Sequence, residues 1–239
     1  MTGSDQPRCQ RVNGTLRCPP GTYSAFVIRL LRHLEERRFT ASPRFLGEDE
    51  EGRQVLTFIE GYVAPDLDLR RWRVAEILAA FGLLRGFHDL MAHSQLADGE
   101  ETVCHNDFTP CNVVFSSGSP IAMIDWEFAA PGTRMHDLAH AIWQWVNIGP
   151  GGPPVSEQAA LIRQVLRAYG VAGEAEIVDA MRQRQSEWLS FARWAGTAMK
   201  PTCGRSPNHW VETAAWVDEE LGWLNDHADA LHREIMASS

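Results

Sequence analysis

Between residues 102 and 128 the chain reads TVCHNDFTPCNVVFSSGSPIAMIDWEF, the stretch that most narrows what it can fold into. His105, Asp107 and Asn112 stand in the spacing H-x-D-x-x-x-x-N, directly after one short apolar run and directly before another. The runs NVVF (112–115) and IAMI (121–124) are joined by SSGSP, residues that tolerate turn geometry, which predicts a β-hairpin. Asn112 enters this hairpin and Asp125 leaves it, so two oxygen-bearing side chains converge at one end.

The flanking patterns are mostly helical. Residues 22–38 place Phe26, Leu30, Leu31 and Leu34 at helical spacing after Pro19 and Pro20. The runs RFLG and QVLTFI, separated by GEDEEG, suit an antiparallel hairpin whose second strand ends at Gly61. From Leu69 to His93 the positions Val74, Ile77, Leu78, Phe81, Leu84, Phe87 and Met91 trace one stripe of a long helix. Beyond residue 134 the segments MHDLAHAIWQWV, SEQAALIRQVLRAY, AEIVDAMRQRQSEWLSFARWAG and NHWVETAAWVDEELGWLNDHADALHREI all read as helices, with GPGGPP as the clearest loop. The tryptophans at 143, 145, 188, 194, 210, 216 and 223 are expected to pack in the core.

Composition excludes some partners. A chain of 239 residues with 44% hydrophobic content can fill a core. Lys+Arg 22 against Asp+Glu 31 leaves a formal charge of −9, without the basic excess that a nucleic-acid backbone demands. No signal region and no apolar run of about 18 residues is present, so no membrane role and a cytoplasmic location are expected. Cys9, Cys18, Cys104, Cys111 and Cys203 are odd in number, scattered and never in C-x-x-C, and neither a disulfide framework nor a structural zinc site is expected.

The residue types in the constrained stretch suit phosphoryl transfer. A nucleotide's phosphates need their charge neutralised as the terminal group leaves, and a hard cation such as Mg2+ takes oxygen ligands; the Asp125 carboxylate and the Asn112 amide carbonyl are the candidates. Asp107 is the candidate acid/base that orients a hydroxyl and accepts its proton. His105, grouped with Asp107 as a candidate catalytic residue, is read as a scaffold whose ring holds the loop backbone. Cys104, His105, Asp107 and Cys111 as zinc ligands would be a competing use of the same residues.

HNDFTPCN, followed by IDWEFA and then MHDLAHA, resembles the aminoglycoside phosphotransferase and choline kinase-like family, whose motifs run H-G-D-x-x-x-x-N, I-D-W-E or I-D-F-E, and D-L-A. The likeness covers roughly residues 15 to 239. It implies an α+β, protein kinase-like two-lobe fold with a reduced N-terminal β lobe (1–61, hinge near 57–62) and a mainly helical C-terminal lobe (62–239). It also implies ATP or GTP as phosphate donor, with Phe58, Ile59 and Glu60 at the adenine hinge. The resemblance makes Asp137 a brace of the catalytic loop, although an N-cap of the helix near Leu138 is an equal reading. The C-terminal helices would line the acceptor site, where acidic residues such as Asp218, Glu219, Glu220, Asp226 and Asp229 would meet an amine-bearing, aminoglycoside-like acceptor.

The front of the chain departs from the family. No G-x-G-x-x-G occurs, and QRVNGTLRC resembles two strands joined at Asn13-Gly14, with Arg17 where the phosphate-binding lysine would stand. The helix offers Ile28 near the expected glutamate position. Two readings follow: a small-molecule kinase, or a kinase-fold module that binds a ligand without turnover. Transfer of a nucleotidyl group is a minor third.

Overall fold

Asn13 and Gly14 both take left-handed backbone angles (φ 48° and 76°), the requirement of a two-residue hairpin turn. β1 (Gln10–Val12) thereby folds back on β2 (Thr15–Cys18). The computed structural model describes residues 9–21, 24–64, 72–172, 174–198, 202–203 and 205–237. The β1–β2 register pairs Gln10 with Arg17, and one step outward it sets Cys9 opposite Cys18, where the two are joined in a disulfide. This corrects the expectation of no disulfide: spacing along the chain could not show that the hairpin brings these cysteines to one rung.

β3 (Phe45–Glu48) and β4 (Gln54–Thr57) form the expected second hairpin, closed by the Asp49 carboxylate, which accepts from the amides of Glu51 (3.1 Å) and Arg53 (2.9 Å). The four strands make one antiparallel sheet in the order β1-β2-β4-β3. Between β2 and β3 lies α1 (Ser24–Glu36), which buries Val27, Leu30, Leu31 and Leu34, a stripe at helical spacing. The predicted helix over 22–38 is trimmed, with Thr22 and Tyr23 outside the described residues.

The connection out of β4 passes close against the rest of the molecule. Tyr62 exchanges two backbone hydrogen bonds with Phe115, both 2.8 Å. At Gly61 a Cβ would meet Val114 Cγ1 at 2.5 Å and the Phe115 carbonyl oxygen at 2.6 Å. Only glycine fits this crossing.

α2 (Val74–Met91) buries Ile77, Phe81, Leu84, Phe87 and Met91, five of the predicted stripe, while Val74 at its start is exposed. The predicted first turn from Leu69 falls outside the described residues. β5 (Thr102–Cys104) pairs with β8 (Ala130–Gly132), a long-range pairing that no local pattern announces. Between them lies the predicted hairpin, β6 (Val113–Ser116) with β7 (Ser119–Met123). The helices α3 (Arg134–Val146), α4 (Val155–Tyr169), α5 (Ile177–Gly196) and α6 (Pro207–Met236) follow the four predicted segments closely.

One continuous apolar core runs from α1 through α2, the catalytic segment and α3 to α6. Trp145 fills its centre, with Phe81, Phe108 and Phe115 around it and its indole N–H donating to the Phe108 carbonyl (3.0 Å). Each such fully buried side chain contributes about 1.5–3 kcal/mol. Trp194 and Trp216 overturn the core expectation: Trp194 is 61% exposed on the outer face near the end of α5, and Trp216 is 36% exposed on α6, stacked on the buried Trp143. No helix among the described residues is long and apolar enough to cross a membrane.

Candidate active site

The loop from Cys104 to Asn112 is held from beneath by one buried carboxylate. Asp137 Oδ2 accepts from the His105 amide at 2.7 Å and Oδ1 from the Asn106 amide at 2.7 Å, while His88 Nε2 lies 2.9 Å from Oδ2. Burial alone would raise the Asp137 carboxyl, but the hydrogen bond and field of His88, then His105, hold it well below the usual carboxylate range. α3 begins at Arg134 and Thr133 is its N-cap, accepting from the His136 amide, so the capping reading of Asp137 is overturned. The helix starts about a turn before the Leu138 start that a capping Asp137 would require.

Asn106 explains how this loop tolerates a non-glycine where the family motif has glycine. Its φ of 63° lies in the left-handed region, which asparagine visits more readily than most residues. Its side-chain amide donates to the Phe128 carbonyl (2.9 Å), and its own carbonyl accepts from Arg184 on α5 (2.8 Å).

Asp107 and Asn112 face each other across the loop. Asn112 Nδ2 donates to Asp107 Oδ2 at 2.8 Å and to the Asp107 carbonyl at 2.9 Å. Burial pushes the Asp107 carboxyl up to about 6, against the lowering fields of His105, Arg184 and Arg205 and the Asn112 hydrogen bond. His140 on α3 places Nε2 3.5 Å from Asp107 Oδ1. Burial and the nearby Arg184 charge drive the His140 ring well below its ordinary value, so it stands neutral.

His105 is buried under the loop, with Nε2 3.0 Å from the Ile124 carbonyl and its ring 4.6 Å from that of Trp126. This ties the catalytic loop to the end of β7, a scaffold's placement. Asp125 follows immediately, with φ 61° and ψ 61°, and this left-handed turn presents its exposed side chain to a cavity of about 270 Å³. Leu16, Cys18, Leu56, Phe58, Ile59 and Val114 supply apolar walls.

Of the hinge residues, Phe58 and Ile59 line this cavity and Glu60 does not: it is exposed and paired with Arg11, whose guanidinium lies 3.7 Å over the Phe58 ring. Arg17 is a correction. Strand alternation turns Leu16 and Cys18 toward the cavity and Arg17 to the opposite face, where it donates to Thr15 Oγ1 (2.6 Å) and lies 3.6 Å from Asp49. On α6, Asp218, Glu219, Asp226 and Asp229 are exposed. Glu220 is buried, accepts from the Trp143 indole (3.3 Å), and is pushed by burial up to about 7.

His140, Arg184 and Arg205 were not foreseen as site residues. Arg184 alone left a trace in the sequence, as a charge on the apolar stripe Met181, Arg184, Gln185 and Leu189. His140 is brought to Asp107 only by the packing of α3, and Arg205, in the turn before α6, acts on Asp107 through its charge.

A braced H-x-D loop followed by a β-hairpin, set between a small sheet and a mainly helical body, is the arrangement of a kinase-like phosphotransferase, and the chain belongs to the phosphotransferase enzyme family, whose model matches residues 19–183. The trifolitoxin immunity protein of Rhizobium leguminosarum bv. trifolii is 33% identical over 263 aligned positions, covering 98% of this chain and 97% of the relative. The fold is shared with an aminoglycoside phosphotransferase structure from Ralstonia eutropha (15% identity, TM-score 0.57, 91% of this chain and 92% of that one). It is also shared with the GDP complex of aminoglycoside 2'-phosphotransferase-IIIa (12% identity, TM-score 0.58, 90% and 88%).

Proposed function

We propose that the protein transfers the γ-phosphate of ATP or GTP to a hydroxyl of a small, amine-bearing molecule, and that this modification protects the cell from a toxic compound. The lobes on either side of the site divide at residues 61 and 62. The observation that carries the reading is Asp107, held by Asn112 above an Asp137-braced loop. The name of the immunity relative and the phosphotransferase family together motivate the protective role.

The donor set fits Mg2+: Asn112 spends its amide N–H on Asp107, so that its amide oxygen is the atom that would hold the ion, together with the Asp125 carboxylate at the cavity edge. When bound, the ion neutralises charge on the phosphates. Asp107 orients the acceptor hydroxyl and takes its proton as the new O–P bond forms and the bond to the diphosphate leaving group breaks. Asn112 fixes the carboxylate's rotamer, and Asp137 with His105 keeps the loop from drifting. Phe58 and Ile59 bound the apolar cavity that takes the base.

The test is γ-phosphate consumption by the purified protein with Mg2+, ATP or GTP and a panel of hydroxylated amines and sugars. Activity that survives Asp107→Ala unchanged sinks the mechanism. The missing glycine-rich loop favours one second reading, a ligand-binding module without turnover; it predicts stabilisation by an acceptor but no product.

A further inference from the structure

The disulfide of the small sheet is also part of the cavity wall. Cys9 and Cys18 both line the cavity proposed to take the nucleotide, beside Leu16 and Leu56. In the sheet Cys18 pairs with Gln54 and Leu16 with Leu56, while Arg11 of β1 stands opposite Leu16. Side chains two apart on a strand share a face, so Cys9 and Arg11 both belong to the cavity side of β1. Arg11 reaches from there over the hinge segment, its guanidinium 3.7 Å above the Phe58 ring and paired with Glu60.

β1 depends on its two ends. It is an edge strand of three residues, all of them exposed, so burial contributes little to keeping it on β2. The Asn13-Gly14 turn fixes one end and the disulfide fixes the other. Cutting the sulfur bond leaves a short exposed edge tethered at the turn alone, the kind of segment that opens locally at low cost. The bond is within reach of solvent from one side: Cys9 is half-buried, whereas Cys18 is 7% exposed.

We propose that Cys9 and Cys18 form a reversible redox couple that sets the affinity of the cavity for its nucleotide. The inference rests on the nucleotide-binding reading above. One thiolate of a dithiol reductant attacks Cys9 Sγ, the bond between the cysteines breaks, and Cys18 leaves as a thiolate that takes up a proton. The second thiol of the reductant then displaces Cys9, which is protonated in turn, so two electrons pass to the protein and the reductant ends as a disulfide. With the tie cut, β1 undocks, Arg11 leaves Phe58 and the cavity loses one wall. Reoxidation by a disulfide such as oxidised glutathione reverses both steps.

Calorimetric titration of the full chain with Mg2+ and ATP, below the melting transition of the reduced protein, tests the couple. It compares wild type oxidised, reduced with dithiothreitol and reoxidised, together with Cys9→Ser and Cys203→Ser. A β1 strand docked about one-tenth of the time after reduction weakens ATP binding about tenfold, and reoxidation should restore it. Cys9→Ser should bind weakly with or without reductant. Cys203 lines the same cavity from the segment between α5 and α6, and Cys203→Ser should keep the response of wild type. Equal ATP affinity in oxidised and reduced wild type overturns the proposal, and that comparison needs no substitution to fold. A response that persists in Cys9→Ser or disappears in Cys203→Ser overturns it as well. If the oxidised wild type binds no ATP at all, the nucleotide reading itself fails and the proposal falls with it.

Discussion

The side-chain amide of Asn112 donates to the carboxylate of Asp107 at 2.8 Å, so the proposed metal ligand also positions the proposed base. Asn112→Ala should therefore lose two functions at once. Turnover is expected to fall at least as far as in Asp107→Ala, by about 10²- to 10⁴-fold, the usual contribution of a positioned acid/base. Steady-state kinetics across a Mg2+ series checks this; a loss that saturating Mg2+ fully repairs would limit Asn112 to metal binding.

Asp137→Ala leaves two loop amides and His88 without their buried acceptor. A cost of about 3–5 kcal/mol is expected from breaking such a buried pair. The native carboxyl sits below its unfolded value, so the stability it contributes is present above pH 4 or so and is lost as pH falls below that. Urea unfolding of wild type and variant at pH 7 and pH 3 should show the gap narrowing in acid.

Glu220 runs the other way. Burial raises its folded pKa from 4.5 to about 7, so the folded state holds its proton more tightly and stability falls as pH rises from about 4.5 to 7. Glu220→Gln keeps an acceptor for the Trp143 indole and cannot ionise. Its advantage over wild type should grow through that window, to on the order of 3 kcal/mol, and then level off. Thermal melts at pH 5 and 8 read it directly; a constant difference contradicts the assignment.

Gly61→Ala drives a Cβ into Val114 and the Phe115 carbonyl. Overpacking of this kind costs about 1–3 kcal/mol. Because Phe58 and Ile59 lie just before it in the cavity wall, ATP affinity should fall together with the melting temperature.

Cys9→Ser opens the loop closed by the Cys9–Cys18 bond. A loop of about ten residues corresponds to roughly 2–3 kcal/mol on the chain-entropy view. Wild type treated with dithiothreitol should melt like the variant, and the variant should ignore the reductant.

The helices of this protein were readable because each carries its own 3.6-residue apolar period: the stripe Leu30, Leu31, Leu34 and the stripe Ile77, Phe81, Leu84 need no partner to be seen. The β6–β7 hairpin was readable from its turn, and Asp107, Asn112 and Asp125 from their spacing around it. The β5–β8 pairing was not, since its strands of three residues each are separated by the whole catalytic segment. Arg17 was misplaced because a one-residue step along a strand exchanges the two faces of a sheet, and nothing in QRVNGTLRC says which face meets the cavity.

The sequence by itself set out the candidates: Asp107 as a carboxylate base and Asn112 and Asp125 as oxygen donors for a cation, spaced within two linked motifs, with Asp137 left open between a brace and a helix cap. Only the tertiary structure decided the surroundings of that chemistry. It turned Arg17 away, brought His140 to Asp107 and Arg184 to the neighbouring Asn106 carbonyl from helices 33 and 78 positions later in the chain, and buried Glu220. The physical reason is range: a motif encodes contacts its own backbone can close, whereas charge and burial around a site are summed over every element packed against it.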